Sequence, residues 1–267
     1  TLASQRGIAA GITLRLWHNY EWMLIGRITG IYDEIPHGGF YTKDEMRDIV
    51  NYAADRYITI IPEIDVPGHT QSVLASYPEL GCTGGPYKVG ETWGVFPDIL
   101  CAGNPKTNEF VHNVLDEVLD IFPSKYIHIG GDEAPRDRWK NCPRCQAEIK
   151  RLGFKGAPGT SPEAQLRIHF MNQVAQYLAQ KGRSVIGWDE ILEGDLDKSA
   201  TVMSWRGVKG GLQAVERGLD VVMTPRDFCY LNYYQNKART LPENIPAALA
   251  QLAEAEHDDT LMEKFFE

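Results

Sequence analysis

With 267 residues, 43% of them hydrophobic, the chain can bury a large core, and a single domain of α/β-barrel size accommodates it. A formal charge of −9 without any run of basic residues argues against nucleic acid as a partner, because neutralising phosphates takes clustered Lys and Arg. No apolar run is long enough to span a bilayer, and the opening TLASQRGIAAG lacks the charged-then-apolar build of a signal peptide.

Residues 1–37 read as an atypical N-terminal segment, in which ITLRLWHNYEWMLIGR has the composition of a strand. From residue 38 to 240, strand-like runs alternate with helical patterns, the signature of βα units and a parallel sheet. Thr42 and Glu45 make a capping box, followed by Met46, Ile49, Val50 and Ala53 at helical spacing. YITIIPEI (57–64) is predicted as a buried strand. Val111, Val114, Leu115, Val118 and Leu119 mark a second helix, which leads through FPS into the strand YIHIG. A third helix starts at Ser161 with Pro162 in its first turn, places Leu166, Met171, Val174 and Leu178 on one face, and stops at Gly182. SVIGWDE, TVMSWRG and DVVMTP are further strands, the last two separated by a helix ending at Gly218, and residues 241–267 form an acidic helical tail.

The strands begin apolar and end in chemistry. Glu63, Asp65 and His69 follow the first, Asp132 and Glu133 the second, Trp188, Asp189 and Glu190 the third, Trp205 and Arg206 the fourth. In a (β/α)₈ barrel the C-terminal strand ends form one rim around one pocket, so four such ends in succession argue for a site rather than for ordinary caps. The cysteines are Cys82, Cys101, Cys142, Cys145 and Cys229. Cys142 and Cys145 form a lone C-P-R-C without a second ligand pair at zinc-site spacing, so the expectation is a turn pair, or a disulfide in an exported chain, and no metal.

The central motif is HIGGDEAP (128–135). Adjacent carboxylates in a confined pocket repel, so one tends to hold a proton while the other stays charged. That pairing suits glycoside hydrolysis, where the leaving oxygen needs a proton while positive charge builds on the sugar. Neighbours on a strand point in opposite directions, which makes Asp132 and Glu133 poor as two opposed carboxylates. They fit a substrate that carries its own nucleophile, such as a 2-acetamido carbonyl.

With GGFYTKDEMRDIVNYAADRYITIIPEIDVPGHT, FPSKYIHIGGDEAPRDRW, GWDEIL, MSWRG and MTPRDFCYLNYYQ in this order, the chain resembles the β-N-acetylhexosaminidases of glycoside hydrolase family 20. The resemblance implies a (β/α)₈ TIM barrel that needs no cofactor, acts on N-acetylhexosamine-containing oligosaccharides or glycoconjugates, and works in the periplasm or outside the cell. It makes Glu133 the general acid and later the base, and Asp132 the holder of the acetamido N–H. His69 would sit behind Glu133 and tune it, Trp188 and Trp205 would wall the acetamido pocket, and Tyr230 would bond the acetamido oxygen. Asn232 stands where the family pattern usually has Asp at the sugar hydroxyls; Asn keeps an acceptor but loses the charge that strengthens such bonds. His128 is read as structural, Asp65 as an orienting residue, and Asp189 and Glu190 as outside the site.

The family's arginine-bearing first strand, the His-Trp-His and Asp-Asp segment of its second and its late tryptophan strand are not found, so the barrel reads as incomplete or truncated. Two other classes therefore stand beside the hydrolase: an inactive sugar-binding remnant, and a metal-dependent barrel hydrolase using His128, Asp132 and Glu133.

Overall fold

The computed structural model describes residues 39–90, 94–156, 159–195 and 197–230. The chain divides into two compact units, Thr1–Asp227 and Phe228–Glu267. The expected N-terminal segment and C-terminal tail lie outside the described residues.

Helix α1 (Lys43–Ala54) starts as its sequence dictates. The Thr42 side chain accepts from the Glu45 amide at 3.2 Å and the Thr42 amide donates to the Glu45 carboxylate at 2.7 Å, which satisfies two donors that have no partner inside the helix. Its apolar face buries Val50 and Ala53. The predicted strand 57–64 does not form. His128 N–H donates to Pro62 O and Ile64 N–H to His128 O, both at 2.9 Å, but beyond the single parallel bridge from Glu63 to His128 there is no ladder. Ile58 and Ile61 are exposed rather than buried. Among the described residues the segment has a sheet neighbour on one side only, and Pro62 cannot donate.

Helix α2 (Gln71–Ser76) and a 3₁₀ turn (Pro78–Leu80) lead to an antiparallel bridge between Gly81 and Leu100. Helix α3 (Pro105–Ile121) follows the N-cap Asn104 and buries Val111 and Leu115. Strand β1 (Tyr126–His128) is followed by helices α4 (Asp137–Asn141), α5 (Pro143–Leu152) and α6 (Pro162–Gln180). Ser161 caps α6 as predicted, accepting from the Ala164 amide at 3.2 Å. Strand β2 (Ser184–Trp188), a 3₁₀ turn (Asp189–Glu193), strand β3 (Thr201–Ser204), helix α7 (Val208–Glu216), strand β4 (Asp220–Met223) and the short helix α8 (Arg226–Cys229) complete the order among the described residues.

The four strands pair in parallel in the order β1-β2-β3-β4, with Tyr126 opposite Ser184, Ile186 opposite Thr201 and Thr201 opposite Asp220. Helices α3 and α6 bring Leu115, Phe170, Met171 and Leu178 together with Ile127, Val185 and Val202 from the strands. Parallel pairing in chain order puts every C-terminal strand end on one rim, and that rim carries Asp132, Glu133, Trp188 and Trp205. No helix among the described residues is long and apolar enough to cross a membrane. Leu115 is fully buried at the centre of this core. Its replacement by Ala should cost about 2–5 kcal/mol, read as a lowered urea midpoint at unchanged slope.

Candidate active site

After β1 the chain turns through Gly130 and Gly131, at φ 66° and 96°. Any side chain at Gly130 would collide with the Asp65 carboxyl group, so only glycine permits that approach. The Gly131 amide donates to Asp65 Oδ1 at 3.1 Å. Glu133 then adopts φ 40° and His69, on the facing loop, φ 51°; such left-handed geometry in residues with side chains collects at functional sites. A methyl group on Gly68 would lie 2.9 Å from the Asp132 carbonyl oxygen, which shows how closely the two loops meet.

The expected divergence of Asp132 and Glu133 is corrected by this turn. Both residues have left the strand, and both reach one imidazole: His69 Nε2 lies 3.5 Å from Asp132 Oδ2 and 3.3 Å from Glu133 Oε2. The hydrogen bond to Asp132, more than the surrounding carboxylates, pushes the His69 imidazole up to about 9. Asp65 is pushed up to about 8, by burial first and by the Asp132 charge second. Burial works against ionisation of Asp132 too, yet the bond to His69 and its charge hold it below its usual value. Near neutrality the group is a protonated Asp65, an anionic Asp132 and a cationic His69. Asp132 Oδ1 is buried with no hydrogen-bond partner among the described residues.

His128 stays apart from this group. Its Nδ1 accepts from the Gly130 amide at 3.1 Å and lies 3.3 Å from Glu63 Oε1, and burial lowers its pKa to about 4. The set His128, Asp132 and Glu133 therefore does not assemble around a common point. The donor atoms of Asp65, His69 and Asp132 do lie within 4.8 Å of one another, but a cation there would have to displace the proton that His69 keeps.

Along the rim, each tryptophan N–H is anchored on a carboxylate. Trp188 Nε1 donates to Glu63 Oε1 at 2.9 Å, with the His128 ring 4.6 Å away, and Trp205 Nε1 donates to Glu190 Oε2 at 3.0 Å. Asp189 and Glu190 are buried, and Arg206 donates to Asp189 at 3.0 Å. Arg167, on α6 and 2% exposed, donates to Gly131 O at 3.3 Å and Glu190 O at 2.9 Å, tying the glycine turn to the turn after β2. Glu63 was read from sequence as one of the polar strand-end residues but given no role, and Arg167 was not singled out; the one available signal for Arg167 was a charge on the apolar face of a helix. Tyr230 falls in the second unit as the last described residue, and Asn232 lies outside the described residues.

The sequence profile of the glycosyl hydrolase family 20 catalytic domain matches residues 23–263. A β-hexosaminidase of Porphyromonas gingivalis is 46% identical over 214 residues, covering 80% of this chain and 27% of that protein. The crystal structure of a β-N-acetylhexosaminidase from Bacteroides fragilis superposes with a TM-score of 0.67 at 34% identity, over 84% of this chain and 44% of that one. An exo-β-N-acetylglucosaminidase from Vibrio harveyi, in complex with N-acetylglucosamine, superposes with a TM-score of 0.61 at 34% identity, over 71% and 29%. The chain thus spans less than half the length of each, and its parallel sheet with helices is a partial α/β barrel of the (β/α)₈ kind these structures share.

The charge arrangement has a direct readout. In a histidine-labelled sample followed by NMR, the His69 ring should stay protonated past neutrality and titrate near pH 9, and Asp132→Asn should bring that midpoint down. Because the folded value lies above the unfolded one of about 6.5, the contribution of His69 to stability is complete below that pH and is lost as pH rises through about 9. A midpoint at or below the ordinary histidine value would contradict the pairing.

Proposed function

The chain belongs to glycosyl hydrolase family 20, and from that premise we propose that it is the catalytic part of a β-N-acetylhexosaminidase. It removes terminal β-linked N-acetylglucosamine or N-acetylgalactosamine from oligosaccharides or glycoconjugates, with retention of configuration. Glu133, partly exposed on the rim, protonates the glycosidic oxygen as the substrate's own acetamido carbonyl attacks the anomeric carbon. The oxazolinium intermediate that results is opened by water, which Glu133 deprotonates.

The observation that carries this reading is the state of Asp132. One of its oxygens is bound to His69, and the other is buried, anionic and without a donor among the described residues. A carboxylate oxygen in that condition calls for an N–H, and the acetamido group supplies one as it cyclises and becomes positively charged. Trp188 and Trp205, each held by its indole N–H, offer apolar faces at adjacent strand ends, which suits the acetamido methyl and the ring of the sugar. The Vibrio harveyi relative, crystallised with N-acetylglucosamine, supports the choice of sugar. The roles of Tyr230 and Asn232 rest on sequence alone.

Aryl N-acetylglucosaminides of graded leaving-group acidity test the assignment. Glu133→Gln should lower kcat/KM by roughly 10²–10⁴ for poor leaving groups and spare the first step for very acidic phenols, whereas Asp132→Asn should slow all of them. A thiazoline mimic of the cyclised intermediate should bind far more tightly than the product sugar. Comparable turnover of a plain β-glucoside would rule out acetamido participation, and sugar binding without turnover by the unmutated chain would favour the non-catalytic remnant.

A further inference from the structure

Away from the acids, four cysteines that are scattered in sequence meet. We propose that Cys82, Cys101, Cys142 and Cys145 form a structural zinc site, a closed centre of four thiolates behind the catalytic loops. Their sulfur atoms all lie within 4.8 Å of one another. Cys101 Sγ is 3.6 Å from Cys145 Sγ and 3.7 Å from Cys142 Sγ, and Cys82 Sγ is 3.9 Å from Cys145 Sγ. A tetrahedron with zinc–sulfur bonds of about 2.3 Å has sulfur–sulfur edges of about 3.8 Å, whereas a disulfide needs about 2.05 Å. The observed separations fit the edges of the tetrahedron and are nearly twice a disulfide bond.

The backbone around the cluster is built for this convergence. Cys82 and Cys101 each follow a residue of the Gly81–Leu100 bridge, so two distant segments present adjacent thiols. Cys142 and Cys145 face them from the start of α5, whose N-terminal dipole favours negative sulfur. Cys142 occupies the N-cap without capping an amide. Gly103 packs so tightly on the Arg144–Cys145 backbone that no side chain could stand there. The Arg144 guanidinium donates to Gly81 O at 2.7 Å and brings positive charge beside Cys101 and Cys142. Three of the four cysteines are buried, among Ile99, Trp139 and Leu166. Four soft donors with no histidine, carboxylate or open position match zinc held for structure rather than for chemistry.

The location gives such a site a purpose. Ala134, the residue after Glu133, belongs to the same apolar cluster as the cysteines. The Leu100 amide donates to Pro67 O at 3.1 Å, directly before the Gly68–His69 turn. A zinc ion would therefore bind together, from behind, the two loops that carry His69 and Glu133. This inference does not depend on which reaction the rim performs.

The test is metal and thiol content of the full chain, purified with no added chelator. About one zinc per chain is expected by elemental analysis, with four of the five thiols protected from a thiol reagent until the metal is stripped. Cobalt in place of zinc should show the intense visible bands and sulfur-to-metal charge transfer of a tetrahedral four-thiolate centre, a readout that needs no variant to fold. Cys229→Ser should keep the zinc, Cys142→Ser and Cys145→Ser should lose it, and stripping the wild type should lower Tm. Five free thiols with no uptake of added zinc, two disulfides with a single free thiol, or a red mononuclear iron centre would each overturn the proposal.

Discussion

A carboxylate shielded from water keeps its charge only where a cation or hydrogen-bond donors reach it, and Asp132 is served in this way by His69 on Oδ2. The pairing has two consequences. It leaves His69 cationic near neutrality, within 3.3 Å of Glu133 as well, so one imidazole locates both acids. It also leaves Asp132 Oδ1 without a partner in the described residues, a cost that binding a donor would relieve.

That meeting depends on missing side chains as much as on those present. Gly130 allows Asp65 to approach the turn after β1, and Gly68 allows the His69 loop to touch the Asp132 carbonyl. The left-handed backbone at His69 and Glu133 is unfavourable by itself and persists because its surroundings leave no alternative. Arg167 contributes from α6 by bonding Gly131 O and Glu190 O, which fixes the spacing between the strand end that carries the acids and the one that carries Trp188. Since Trp205 hangs on Glu190, the same arginine reaches the third strand end indirectly. The buried acids after β2, read from sequence as lying outside the site, thus act as its foundations.

Residues whose partners lie within a turn or two of helix were readable in advance. The Thr42–Glu45 box, the Ser161 cap, the apolar face of α6 and the strands β1 to β4 lie where pattern and propensity put them. The segment 57–64 was misread because β-branched and apolar residues report compatibility with a sheet and not the presence of neighbours on both sides. The orientation of Asp132 and Glu133 was misread for a related reason: alternation holds only while the chain remains a strand, and two glycines end it just before the acids. The lone C-P-R-C looked incomplete because its complement, Cys82 and Cys101, is made adjacent by a backbone bridge that has no sequence period.

The sequence by itself determined the alternation of βα units, the apolar cores of the strands, the polar strand ends and, through HIGGDEAP and its companions, the family. These are local or motif-level properties, carried by spacing along the chain. The tertiary structure decided which oxygen of Asp132 is bonded and which is left open, that one histidine serves both acids, that Arg167 braces their turn, and that four sulfurs meet within 4.8 Å of one another. Each of those is a contact between segments far apart in the chain, and such contacts are set by how the packed elements meet rather than by the residues that flank each position.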